Sequence, residues 1–213
     1  MVMKVLSVVG SPRRDGSTAQ VVEYLTNNLE GIEKELVYLS DYKLHPCLGC
    51  MLCVHTNRCV QEDGWDSIQT SLMEADVLIL GFPTYYAFSL GFNAMTHVFL
   101  ERWFALRHLG VKLNLKKIVC VVSSGTSPEV AQKGLTDFFV NYHRLPAPEF
   151  LNIQTPIACM TCGVGDVCEM SGLALMAQDG IIYTPDMKPD LSRQPEVFEK
   201  ATQIAASISA LKD

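Results

Sequence analysis

Met3-Lys4-Val5-Leu6-Ser7-Val8-Val9-Gly10-Ser11-Pro12-Arg13-Arg14-Asp15-Gly16-Ser17-Thr18 decides the fold. Its first seven residues form a short apolar, β-branched run that stops at glycine, the pattern of a strand buried on both faces of a parallel sheet. A Gly/Ser loop follows, and residues 19–29 then place Val21, Val22, Leu25 and Leu29 on one helical face. Strand, loop, helix is the arrangement that aims free backbone N–H groups and a helix dipole at an anion. Ser11, Ser17 and Thr18 add hydroxyl donors, and Arg13 adds a fixed charge suited to phosphate. The competing reading is an ordinary helix start capped by Ser17 or Thr18. Serine density and the arginine favour phosphate. The loop matches neither G-x-G-x-x-G nor G-x-x-x-x-G-K-[ST], so the dinucleotide and nucleoside-triphosphate fingerprints do not apply.

Residues 35–39, 76–82, 117–122 and 150–158 read as further strands. Helical pattern covers 65–75, 91–109, 128–143, 172–178 and 196–211. This alternation predicts one α/β domain over 1–213, with an open parallel five-stranded sheet and helices on both faces. In the flavodoxin-like order 2-1-3-4-5 the winding reverses between strands one and three, and ligands bind beyond the carboxyl ends there. The loop after strand three, Pro83-Thr84-Tyr85-Tyr86-Ala87-Phe88-Ser89, would face the phosphate loop. Its tyrosines and threonine suit a flat aromatic ligand, and plain core aromatics would explain them equally well. A third polar turn, Ser123-Ser124-Gly125-Thr126-Ser127, ends strand four on the same edge, while Cys120 lies mid-strand and reads as core. Phosphate on one side and a planar ring on the other describe FMN. Helix 91–109 is apolar on nearly all sides, which predicts burial against more than the sheet, as at a subunit interface.

Half of the eight cysteines fall in one C-x2-C-x2-C-x5-C run, Cys47, Cys50, Cys53 and Cys59, within a loop at 44–64 that follows strand two. Such crowding can wrap one polynuclear centre, as ferredoxin runs do. Structural zinc more often uses two C-x2-C pairs set well apart. Zinc, a disulfide pair and reduced thiols stay open as alternatives, and the spacing favours an iron–sulfur cluster. A second group, Cys159, Cys162 and Cys168, lies in a cysteine-containing C-terminal extension at 150–195. Three thiols are one short of a closed site, which Asp166, Glu169, a distant residue or a neighbouring subunit could complete. Their spacing ranks a second, more labile metal site ahead of a Cys159–Cys162 redox dithiol and of inert thiols.

With 213 residues, 48% of them hydrophobic, the chain can bury one substantial core, so eight cysteines point to metal or redox chemistry and not to a disulfide scaffold. A net charge of −6 argues against broad nucleic-acid or anionic-membrane binding. No apolar run reaches transmembrane length, and Met1 to Val9 is too short for a signal peptide. A cytoplasmic location is expected.

Gly10-Ser11-Pro12-Arg13-x2-Gly16-Ser17-Thr18, the cysteine run and Gly81-Phe82-Pro83-Thr84-Tyr85-Tyr86 together resemble the iron–sulfur flavoproteins, within the NADPH-dependent FMN reductase group of flavodoxin-like proteins. The resemblance covers residues 3–125. It implies FMN phosphate held by Ser11, Arg13, Ser17 and Thr18, and an isoalloxazine lined by Pro83, Thr84, Tyr85 and Tyr86, with Ser123, Ser124 and Gly125 on its far side. It further implies a 4Fe–4S cluster on Cys47, Cys50, Cys53 and Cys59, close to the flavin. A homo-oligomer (dimer or tetramer) is implied, with ferredoxin or NAD(P)H as electron donor and a small-molecule acceptor. Phe82 departs from the serine common in the family's turn, and the second cysteine group lies outside the usual pattern. An NAD(P)H-dependent FMN or quinone reductase with structural zinc, and a non-enzymatic flavodoxin-type carrier, are the competing readings.

Overall fold

The structure, a computed structural model, describes residues 2–86, 89–110 and 113–212. Five strands, β1 (Lys4–Val9), β2 (Glu33–Tyr38), β3 (Val77–Pro83), β4 (Lys117–Ser124) and β5 (Glu149–Gln154), pair in parallel in the order β2-β1-β3-β4-β5. The expected topology is the observed one. The central strands are apolar on both faces because each face is roofed by helices. Val5 and Val9 join α1 (Ser17–Asn27) and α6 (Pro195–Ser209) in one core, whereas Leu6 and Val8 turn to the other. That second core holds α2 (Trp65–Glu74), α3 (Ala94–Arg102) and α4 (Glu129–Thr136). Cys120 is fully buried within it, as its neighbours predict.

Element ends differ from expectation for identifiable reasons. β2 begins two residues earlier, at Glu33; it is an edge strand whose first four residues are exposed, so charge is tolerated there. β5 stops at Gln154 instead of 158. Thr155 donates the last bond of that edge, to Ser124 O at 2.8 Å, and Pro156 has no N–H to continue it. The long helix from 91 is shorter: Gly91 takes φ +74°, α3 starts after Asn93, and the chain tightens into a 3-10 turn at Trp103–Leu106. Part of its apolar breadth packs within the chain, with Phe99 against Trp65 and Trp103 against Phe138 and Phe139, while Leu109 stays exposed. α4 runs on into a π-helical turn, Asp137–Tyr142, and α5 (Gly172–Gln178) has the expected bounds.

Candidate functional site

Three loops meet beyond the carboxyl ends of β1, β3 and β4. The first folds back on itself: Arg13 N–H donates to Ser11 Oγ at 3.2 Å and Gly16 N–H to Arg13 O. Gly16 occupies the position before α1, and no side chain caps the helix there. The capped-helix reading therefore does not hold, and the first-turn amides stay available as donors. Among the described residues neither the Arg13 guanidinium nor the Ser17 hydroxyl has a protein partner, whereas Arg14 pairs with Asp41 and lies over the Tyr38 ring. Thr18 is committed otherwise: its hydroxyl shares a buried 2.7 Å bond with Ser123 Oγ, tying the first loop to the third.

Gly10 admits no side chain, since a Cβ there would lie 2.3 Å from Thr96 Oγ1 and 3.2 Å from Gly81 O. Its N–H donates to Gly81 O at 2.7 Å, and its carbonyl accepts from the buried Asn93 Nδ2 at 2.7 Å. The second loop is held by Thr84 N–H donating to Ser123 O at 2.8 Å, and by Tyr85 N–H donating to Gly91 O. Pro83 lies opposite Ser123 in the β3–β4 register. Tyr85 and Tyr86 are exposed at this edge, and Tyr86 takes φ +50°, so they are not core aromatics. Ala87 and Phe88 lie outside the described residues. Ser123 and Ser124 are buried, and Gly125 passes against Ile157, whose backbone a Cβ would meet at 3.2 Å.

Cys47, Cys50, Cys53 and Cys59 line one pocket with Gly49, Gln61 and Arg102. Gly49 and Met51 take left-handed backbone conformations, which coil the chain tightly between ligand positions. Among the described residues no three side chains stand in metal-ligand geometry, but the four thiols share a neighbourhood. Burial first, and then the neighbouring Cys59, Cys47 and Cys50, push the Cys53 thiol pKa up. Cys47 N–H donates to Glu101 Oε2, Cys59 N–H to Gln69 Oε1, and Cys53 Sγ lies 3.3 Å from His108 Nε2. Gln69 is itself fixed by Trp65 Nε1 and by the carbonyl of Asn57.

Below the cysteines lies a buried ion pair. Arg102 gives both terminal nitrogens to Asp63, at 2.6 and 3.1 Å, and a further bond to His45 O; the two side chains are 0% and 2% exposed. Burial works against the Asp63 charge, but Arg102 and the N–H groups of His45 and Trp65 overcome it and hold the pKa at about 2, below the usual 3.8. A depressed carboxyl stabilises the fold above its unfolded pKa, and that contribution is lost as pH falls through the folded value. Chemical denaturation between about pH 5 and about pH 2 should show the parent losing stability more steeply than Asp63→Asn. Equal slopes would contradict the pair's role.

The NADPH-dependent FMN reductase family model matches residues 3–155. The chain belongs to that family. Within it, the chain is 36% identical over 133 residues to an iron–sulfur flavoprotein of Methanocaldococcus jannaschii, covering 62% of this chain and 66% of that protein. It is 33% identical over 108 residues to an iron–sulfur flavoprotein of Archaeoglobus fulgidus, covering 50% and 48%. The chain thus spans between about half and two thirds of the length of these relatives. The solved NAD(P)H:quinone oxidoreductase of Methanothermobacter marburgensis shares the fold, with a TM-score of 0.62 at 14% identity over 98% of this chain and 96% of that one. No helix among the described residues is long and apolar enough to cross a membrane.

Sequence reading does not mark the residues that join the loop after β1 to the cysteine loop: Asn93, Thr96, Arg102, Asp63 and Gln69, whose side chains are buried. Thr96, Phe99 and Arg102 recur at helical spacing, and that period marks Arg102 as facing inward with Phe99.

Proposed function

We propose that this chain is an iron–sulfur flavoprotein, an FMN-dependent oxidoreductase passing electrons between a 4Fe–4S cluster, FMN and external partners. The donor set fits both groups. Unpartnered Arg13 and Ser17, with the uncapped start of α1, suit the FMN phosphate, and Ser11 and Thr18 shape the loop around it. Pro83, Thr84, Tyr85, Tyr86, Ser123, Ser124 and Gly125 would line the ring. Cys47, Cys50, Cys53 and Cys59 supply four thiolates around one pocket, with Arg102 beside Cys59 to offset their charge.

The observation that carries the reading is α3. Its first cap residue, Asn93, bonds the phosphate loop at Gly10 O, and its last, Arg102, lines the cysteine pocket. About 14 Å of helical rise separates those residues, which fits two redox groups working in series. When bound, the cluster would exchange single electrons and the flavin two. The chain's task is then placement and charge, and no protein acid or base is assigned. Ferredoxin or NAD(P)H as donor, a small-molecule oxidant as acceptor, a homo-oligomeric (dimer or tetramer) assembly and a cytoplasmic setting belong to the same proposal.

Changing Cys50 and Cys53 together to serine tests it. Iron should fall to near zero while FMN remains, because the sites occupy opposite ends of α3. Loss of zinc instead of iron, or of FMN along with the metal, would overturn the assignment.

A further inference from the structure

The second cysteine group differs from the first in how its thiols are held. Cys159 and Cys162 sit on a single helical turn, closed by Cys162 N–H donating to Ala158 O at 3.0 Å. Residues three apart on such a turn have Cα atoms about 5 Å apart, within the span that a disulfide bridges. The Cys162 thiol already points back along the turn, donating to Cys159 O at 3.6 Å. Cys159 Sγ accepts the Gly172 N–H at 3.2 Å. Ser171, buried beside it, accepts from Leu173 N–H through its oxygen and so keeps its own proton to donate. Gly172 first, and then Ser171, draw the Cys159 thiol pKa down.

The surrounding loop is built around Cys159. A Cβ on Gly165 would fall 2.1 Å from Cys159 O, so only glycine lets 163–172 close over the turn. Ile157, two residues ahead, is wedged between Gly125 and Gly172 and anchors the turn at the end of β4. Cys162 is exposed, and Cys159 is half-buried. Cys168 is exposed, and its thiol has no partner among the described residues. This is a two-thiol arrangement with one stabilised sulfur, and the third cysteine stands outside it.

We propose that Cys159 and Cys162 form a thiol–disulfide exchange site, with Cys159 as nucleophile, Cys162 as resolving thiol and a low-molecular-weight disulfide as its oxidant. The Cys159 thiolate attacks one sulfur of the small disulfide, forming a mixed disulfide and releasing one thiolate. Cys162, losing its proton to solvent, attacks the Cys159 sulfur and expels the second thiolate. Two protein thiols are oxidised, one small disulfide is reduced to two thiols, and the released thiolates take up the two protons. The site goes beyond the electron-transfer reading above and does not depend on it.

The full-length protein, handled without oxygen, can be equilibrated with glutathione disulfide, alkylated and mapped peptide by peptide, so that the Cys47–Cys59 run is counted separately. The expected result is a Cys159–Cys162 crosslink in the parent and in Cys168→Ser, and a single glutathione adduct at Cys159 in Cys162→Ser. Cys159 should alkylate about tenfold faster than Cys168 near neutral pH, and Ser171→Ala should narrow that ratio. Failure of the crosslink to form, loss of the crosslink in Cys168→Ser, or equal reactivity of all three thiols would overturn the proposal. So would loss of metal from a variant with Cys159, Cys162 and Cys168 all changed to serine and the first run intact.

Discussion

Arg102→Met should lower unfolding free energy by about 3–5 kcal/mol, because it strands the buried Asp63 carboxylate without its counter-charge. The guanidinium makes three bonds, two to Asp63 and one to His45 O, from a position with no side-chain exposure. His45 and Asp63 bracket the cysteine loop, so losing Arg102 also frees the backbone that presents Cys47. Removing both charges together, in Arg102→Met with Asp63→Leu, should recover much of the loss, since no unpaired ion remains. Denaturant unfolding of the two variants measures this. A cost below about 1 kcal/mol for the single change would show that Arg102 is not a structural keystone of the loop.

Arg13→Ala with Ser17→Ala should weaken FMN retention by about a hundredfold or more, since charge-assisted and hydroxyl contacts to an anion contribute about 1–3 kcal/mol each. Neither side chain has a partner among the described residues, so their removal leaves the fold intact and the effect reads on binding. Fluorescence titration of FMN into flavin-free protein is the measurement. Unchanged affinity would remove the loop from the phosphate site. Thr18→Val is expected to act differently: it breaks the bond to Ser123 Oγ and loosens two loops at once, so it should cost stability as well as affinity.

The sheet was legible because β1, β3 and β4 are apolar on both faces, a pattern only a roofed parallel strand needs. The charges of an edge strand hide the start of β2, and apolar Ile157 carries the strand pattern past Pro156, beyond the end of β5. The loop after β1 and the cysteine run are local in sequence, so spacing and family resemblance suffice to put their residues forward as candidates. The parts that join them are not. Gly10 against Thr96, Asn93 reaching Gly10 O and Arg102 clamping Asp63 depend on residues 39 to 86 positions apart meeting in space. The second cysteine group shows the same limit: spacing alone ranks a metal site first, and the bonds from Gly172 and Cys162 on which the dithiol proposal rests are encoded by no spacing.

An iron–sulfur flavoprotein built as proposed here holds its flavin beside the start of α3 and its cluster beside the end. The direct measurement is cofactor content of protein purified without oxygen, by absorbance spectrum together with iron, zinc and flavin assays. One FMN and about four irons per chain are expected, with broad cluster absorbance beneath the flavin bands. One zinc per chain with no iron would contradict the proposal, and so would protein that carries no flavin.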